Sequence, residues 1–164
     1  GKTTASTVQM PSGSILQMQT GQLAGSSSQS SSTSYTDTQL SVNITPKFAT
    51  SKIFVLTNQQ VGVTKSTVQL ASAYYNARID MKLLENNSAT ILAQSVYCGL
   101  DDLQYGNMSV YHSQHGIFQC SNTNQLTFKT QVRLANGSTN GGAAIFPSWY
   151  TGSIHNITAM EIAQ

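Results

Sequence analysis

Apolar and polar residues alternate along several short stretches of the chain, with the period of two that is typical of half-buried β-strands. The segments 125–134 and 35–44 show this most clearly, and Pro46, which cannot donate a ladder hydrogen bond, ends the second strand. The apolar positions are Leu126, Phe128, Val132 and Leu134 in the first segment and Leu40, Val42 and Ile44 in the second. Each segment is therefore predicted to turn one face to a core and the other to solvent.

The segment 53–56 breaks this alternation because all four of its residues are apolar. An uninterrupted apolar strand is typical of burial on both faces. One face would belong to the domain core, and the other would contact a second layer or a neighbouring subunit. We therefore predict an oligomer interface that includes Ile53, Phe54, Val55 and Leu56.

Five further segments have strand character. They are residues 15–19, 79–83, 90–97, 108–119 and 154–162, and the second and third form a hairpin around the turn 85–88. Helical periodicity leaves room for one short helix at most, in residues 66–77, and the serine-rich segment 26–34 is predicted to be a long loop. About eight strands at this spacing predict an all-β fold, an antiparallel β-sandwich or jelly roll.

The polar residues 1–13 precede this pattern and end in Pro11-Ser12-Gly13. They are predicted to form an extended arm that attaches the protein to a partner, with Lys2, Thr3, Val8 and Met10 among its contacts. Residues 14–164 are then a single β-sandwich head domain, because a chain of this length suffices for one core.

The composition strengthens the β prediction and narrows the function. Charged residues make up 9% of the chain, against roughly 25% in ordinary soluble domains. Ser, Thr, Asn and Gln supply 68 of the 164 residues, and the first three suit turns and strands better than helix surfaces. The net charge of +2 is too small to attract nucleic acid or anionic lipid, and no apolar run is long enough to span a membrane. Such a surface favours packing into an assembly or adhesion through hydrogen bonds.

Groups for catalysis or metal binding are scarce. Asp101 and Asp102 are adjacent carboxylates that favour either a calcium ligand pair or, with more weight, a solvated turn. His112 and His115 resemble a metal pair, with Cys98 or Cys120 as further ligands, but residues three apart on a strand face opposite sides. No nucleophile elbow, phosphate loop or dinucleotide fingerprint is present. We expect no enzyme activity, no metal and no cofactor, and we expect the two cysteines to remain reduced thiols.

Aromatic residues in irregular segments are the better candidates for binding. Exposed Trp and Tyr beside Ser, Asn and Gln can stack on sugars or anchor a protein interface. Alternatively, the aromatic residues near position 149 plug the end of the sandwich core. The candidate receptor contacts are Tyr74, Tyr75, Asp101, Asp102, Tyr105, Phe146, Trp149 and Tyr150.

Five short motifs occur in a distinctive order along the chain. They are GSILQ at 13–17, TSYTDTQL at 33–40, ITP at 44–46, SKI at 51–53 and ITAMEI at 157–162. This series resembles a domain of tailed phages of marine and freshwater bacteria, cyanophages among them, found at the ends of tail-fibre-like proteins and as small virion proteins. The resemblance covers nearly the whole chain from residue 13 onward.

The resemblance implies a virion structural protein whose β-sandwich head works as a homotrimer. In that case the protein is a tail-fibre or spike tip that binds a host surface glycan or protein, assembled into the virion in the bacterial cytoplasm. A second interpretation is a capsid decoration protein that docks on the phage shell through residues 1–13, since no coiled-coil shaft precedes the head in this sequence. Its partners would be itself and other virion proteins, without nucleic acid or membrane insertion.

Overall fold

A computed structural model describes residues 10–24, 28–30, 32–65, 78–98, 106–134, 142–146 and 154–164. Within these ranges the regular elements are all β-strands, ten in number, and none is a helix. The strands are β1 (Ile15–Ala24), β2 (Ser28–Ser30), β3 (Thr36–Ile44), β4 (Lys52–Lys65), β5 (Arg78–Glu85), β6 (Thr90–Cys98), β7 (Gly106–Gln119), β8 (Leu126–Leu134), β9 (Gly142–Phe146) and β10 (Ile154–Ile162). The prediction of an all-β chain is confirmed.

The strands form two antiparallel sheets of four rows each. In the first sheet β7 pairs with β4 along its whole length, so β10 and β9 share the other edge of β4, and β1 and β2 flank them in the same way. The first sheet therefore has the row order β1/β2, β10/β9, β4, β7. The second sheet has the order β3, β8, β5, β6. We call them the β4 sheet and the β8 sheet.

The pairing is that of a long hairpin rolled into a sandwich. From the outside of the hairpin inward, β1 pairs with β10, β3 with β8, β4 with β7 and β5 with β6. Rolling then adds the contacts β10–β4 and β8–β5 between neighbouring arms. This nested order of eight rows is that of a jelly roll.

The core lies between the two sheets and comes from the alternating positions of their strands. Leu40, Val42 and Ile44 of β3 meet alternate residues of β8, and Ile157 and Ala159 of β10 close the other side. The predicted inward face of β8 is confirmed, since its burial alternates strictly between buried and half-buried residues. The alternation of apolar residues in the sequence is thus the pattern of burial in the fold.

Three segments differ from the prediction. Residues 28–30, inside the predicted serine-rich loop, form the short strand β2, because the backbone of β9 offers a free edge to pair with. Strand β9 was not anticipated, and β1 runs to Ala24 rather than residue 19. The predicted short helix in residues 66–77 lies outside the described residues.

A glycine marks each side at which the two sheets approach one another. A Cβ atom on Gly21 of β1 would stand 1.9 Å from the carbonyl oxygen of Ser41 in β3, and one on Gly116 of β7 would stand 2.7 Å from the Cβ of Leu92 in β6. No side chain fits at either distance. The two glycines therefore permit the close approach that shuts the open sides of the sandwich.

The strand ends divide the sandwich into a turn end and a loop end. The short connections 45–51, 86–89 and 120–125 lie at the turn end. At the loop end Lys65 pairs with Gly106 and Gly142, and Arg78 pairs with Cys98. Residue 13 is held at the turn end, where its N–H donates to the carbonyl of Ala163 at 2.9 Å.

Candidate functional site

The apolar run at residues 53–56 lies in the middle of the β4 sheet, and its side chains alternate between the two sides of that sheet. Ile53 and Val55 are fully buried in the core, whereas Phe54 and Leu56 point away from it. Leu56 is 40% exposed, so the described part of the chain leaves this position of the outer face uncovered. Of the four residues predicted for an oligomer interface, Phe54 and Leu56 are thus the two that lie on the outer side of the sheet.

Neighbouring strands continue the apolar character of these two residues across the sheet. Phe54 pairs with Met160 on one side and with Ile117 on the other, and Met160 in turn pairs with Met18. This places four large apolar side chains in one line across all four rows. Met18 and Ile117, at the two ends of the line, are 60% and 58% exposed.

We call the outward side of the β4 sheet the apolar face. Its apolar residues are Ile15, Met18, Phe54, Leu56, Tyr111, Ile117, Ile154, Met160 and Ile162. Among the described side chains of this face, the groups that can carry charge are Lys52 and His115, and the His115 ring lies 6.1 Å from that of Phe54. The rest are Ser, Thr, Asn and Gln.

The outward side of the β8 sheet is different in kind, because charged pairs cover it. Lys129 contacts Asp37 at 2.8 Å and Arg133 contacts Asp80 at 2.7 Å. The ring of Tyr35 lies 4.1 Å below the ammonium group of Lys82. Such a surface carries its own counter-charges, so the two outer faces of the sandwich are suited to different surroundings.

A buried carboxylate organises the turn end. Glu161 in β10 is fully buried and accepts hydrogen bonds from Gln17 Nε2 at 2.6 Å and from the backbone N–H groups of Lys47 and Phe48 at 2.8 and 3.2 Å. Burial alone would raise the pKa of Glu161, but these hydrogen bonds outweigh it and hold the pKa below its usual value. The carboxylate therefore ties the corner after Pro46 to β1 and β10.

A second buried glutamate does the same for the β5–β6 hairpin. Glu85 accepts hydrogen bonds from the N–H groups of Asn87 and Ser88 at 3.0 and 2.7 Å and from Ser88 Oγ at 2.6 Å. These bonds overcome the effect of burial and lower the pKa of Glu85. A cavity of about 250 Å³ lies beside this turn and is lined mainly by amides and hydroxyls. The carboxylates of Glu85 and Glu161 both accept hydrogen bonds from N–H groups of turns, so their role is structural.

The interior contains a layer of hydrogen-bonded polar residues toward the loop end. Thr38 and Thr130 share a hydrogen bond of 2.5 Å, and Thr130 donates to Gln59 Oε1 at 3.0 Å. Nearby, His155 Nδ1 accepts the N–H of Gln60 at 2.9 Å, which places the proton of the neutral ring on Nε2. Burial lowers the pKa of His155, so the ring is neutral at pH 7.

The residues considered as metal ligands do not come together in the described part of the chain. His112 points inward and bonds Ser95 Oγ at 2.7 Å, while His115 is exposed on the apolar face. Cys120 is a free buried thiol whose pKa is raised to about 11, mainly by burial and also by Glu161. Over the described residues no three His, Cys, Asp or Glu side chains form a group that could hold a metal ion.

Most of the predicted receptor contacts and arm residues lie outside the described residues. These are Tyr74, Tyr75, Asp101, Asp102, Tyr105, Trp149 and Tyr150, together with Lys2, Thr3 and Val8. Phe146 ends β9, and Met10 is exposed just before the turn that begins the head. The strands that flank segments 66–77 and 99–105 end at the loop end.

Sequence reasoning missed most of the apolar face. Met18, Ile117 and Met160 lie in strands whose outward positions mix apolar and polar side chains, so no local pattern distinguished them. The lone signal was the unbroken apolar run at 53–56, which identified the central row. Only strand register brings the outer rows beside it.

Comparison with known proteins adds no family to these observations. Neither the protein-family models nor the curated proteins gave a match to this chain. The described residues contain no helix that is long and apolar enough to cross a membrane.

Proposed function

We propose that this chain is a bacteriophage virion protein, a homotrimeric tail-fibre or spike tip that binds the host cell surface. The observation that carries the proposal is the contrast between the two outer faces. One carries large apolar side chains and almost no charge, and the other carries ion pairs. A chain with so few charges and one such face is suited to permanent assembly with other subunits.

Four of the five motifs behind the resemblance to phage proteins support the proposal because they meet in space. Gln17 comes from the first motif, Glu161 from the last, and the N–H donors of Lys47 and Phe48 directly follow the ITP motif. Ser51, which begins the SKI motif, closes the same corner by donating its N–H to Phe48 O at 3.2 Å. Motifs far apart in sequence thus form one structural unit at the turn end.

The two ends of the sandwich support separate attachment and contact sites. The chain enters the head at the turn end, where Gly13 bonds Ala163. The strands flanking the segments that carry Tyr74, Tyr75 and residues 101–105 end at the opposite, loop end. An arm at one end and contact segments at the other suit a tip that is held from behind. Weak contacts on three chains would add through effective concentration.

Changing Trp149 to Ala tests the contact role directly. We expect the variant to keep its oligomeric mass and lose binding to the host surface glycan, measured on a glycan array and by adsorption to host cells. Gln94→Ala, an exposed change in β6 of the β8 sheet and away from the apolar face, is the matched control. Unchanged adsorption of the Trp149 variant would remove this residue from the proposal.

The second candidate, a capsid decoration protein, is favoured by the same entry of the chain into the head at the turn end, at residue 13. Deleting residues 1–12 would then abolish incorporation into particles while host binding survives, although this result alone does not distinguish head from tail. Electron microscopy of particles labelled with an antibody to this chain makes that distinction. Label spread over the shell indicates decoration, and label confined to the tail supports the tip.

We also propose that the protein has no enzyme activity, because the four acidic residues that the structure describes are committed to structural bonds. Glu85 and Glu161 bind turn N–H groups, and Asp37 and Asp80 pair with cations. Incubating the purified protein with host polysaccharide and measuring the chain length of the polysaccharide tests this view. Shortened polysaccharide would overturn it.

A further inference from the structure

The apolar face extends over all four rows of the β4 sheet and is large enough for a stable protein interface. Four rows about 4.8 Å apart, crossed by nine residues of about 3.3 Å each, give a flat area on the order of 600 Å². Because side chains project from the sheet, the accessible area of the face exceeds this flat area and approaches the roughly 800 Å² per partner of a standard interface. Met18, Ile117 and Ile154 are each more than half exposed on this face, so the apolar surface remains in contact with water in the single chain.

The charge of the face points to a partner that resembles it. A strongly acidic partner could pair only with Lys52 and the imidazole of His115 among the described side chains of this face. A strongly basic partner would find no described carboxylate there. The outer side of the β8 sheet is a poor partner, because burying its ion pairs against apolar side chains would cost their solvation. The apolar face would therefore pack best against a surface that is equally apolar and nearly uncharged. The apolar face of a second copy of this chain is such a surface.

We propose that the apolar face of the β4 sheet packs against another copy of this chain. The line Met18–Met160–Phe54–Ile117 forms the centre of the contact, and the Ser, Thr and Asn side chains toward the loop end form its polar rim. This proposal deepens the homo-oligomer of the proposed function and rests on that part of it alone. It holds whether the protein works on the tail, on the capsid or elsewhere.

The test compares charge introduced on the two outer faces. The double variant Met18→Glu/Ile117→Glu places a carboxylate at each end of the central line. Both positions are mostly exposed in the single chain, so the fold should tolerate the change. Gln94→Glu on the exposed side of β6 is the matched control, because Gln94 pairs with Lys82 across the strand. Phe54→Asp is a further variant at the centre of the line.

Sedimentation velocity and light scattering at micromolar concentration give the number of copies, and circular dichroism checks the fold of each variant. We expect an oligomer for the unaltered chain and the control, and at least a 100-fold weaker association for the double variant, since each carboxylate would be desolvated without a partner. A monomeric unaltered chain, or a folded double variant with unchanged association, would overturn the proposal. If Phe54→Asp fails to fold, the double variant still decides.

These outcomes are separate from failure of the virion role. An oligomer that depends on the apolar face but is absent from phage particles supports this interface and contradicts the proposed function. Three copies agree with both proposals. Two copies support the interface and contradict the trimer.

Discussion

At the residue scale, two buried glutamates hold the turns of the jelly roll. A carboxylate is expensive to bury unless several donors surround it, and Glu161 has both side-chain and backbone donors. Its hydrogen bonds connect β1, the corner after Pro46 and β10, which are far apart in sequence. An uncharged residue of the same shape cannot accept all of these bonds.

Glu161→Gln should therefore lower the free energy of unfolding by about 2–4 kcal/mol, measured by urea denaturation at fixed protein concentration. Asp37→Asn, on an exposed ion pair, is the control and should cost less than about 1 kcal/mol. The folded pKa of Glu161 is depressed below 4.5, so its contribution exists above that pH and disappears as pH falls. A cost that persists unchanged in acid would contradict this account.

His155 predicts a second, milder dependence of stability on pH. Burial lowers its pKa below 6.5, so the unfolded chain binds the proton more readily than the folded chain. Stability should therefore be full above that pH and decline as pH falls through it. His155→Asn keeps an acceptor for the N–H of Gln60 and cannot titrate, so its free energy of unfolding should decline less steeply over this range. Burial also lowers the pKa of His112, which accounts for the pH dependence of stability that remains in this variant. Parallel curves for the two proteins would exclude His155 as the source.

At the element scale, the sandwich depends on how closely its edge strands approach. Strands β1 and β3 meet at Gly21, and β6 and β7 meet at Gly116, where a Cβ atom would overlap neighbouring atoms. The obstacle at Gly21 is backbone, the carbonyl of Ser41, which cannot rotate away as a side chain can. The strands would have to separate to admit even a methyl group.

Gly21→Ala should accordingly lower the free energy of unfolding by about 1–3 kcal/mol, although alanine is normally the better residue in a strand. Thermal and urea denaturation, followed by circular dichroism, measure the change. Gln22→Ala, the neighbouring outward position, should remain within about 0.5 kcal/mol of the unaltered protein. Equal stability of the two variants would mean that the strands separate at no cost.

At the scale of the whole molecule, the contrast between the outer faces governs association. Contacts between apolar faces strengthen or hold as salt is added, whereas contacts between charged surfaces weaken through screening. Each copy also brings Lys52 to the apolar face, and like charges repel less in salt.

Raising NaCl from about 0.05 M to about 1 M should leave the self-association constant unchanged or increase it, since the Debye length falls to about 3 Å. Sedimentation equilibrium over a series of salt concentrations provides the measurement. The double variant Met18→Glu/Ile117→Glu should regain part of its association in high salt, because screening reduces the repulsion between its carboxylates. Dissociation of the unaltered oligomer by salt would point instead to the charged outer side of the β8 sheet.

The sequence alone determined the fold class, because period-two alternation in β3 and β8 and the stop at Pro46 are local properties. It also identified residues 53–56 as unusual, since an unbroken apolar strand is visible without any partner. Strand β2 could not be predicted from the sequence, because its three polar residues form a strand only by pairing with the backbone of β9. The tertiary structure alone decided the composition of the apolar face and of the Glu161 cluster. Both depend on strand register, which brings Met18 beside Met160 and Gln17 beside Glu161 across more than a hundred residues of chain.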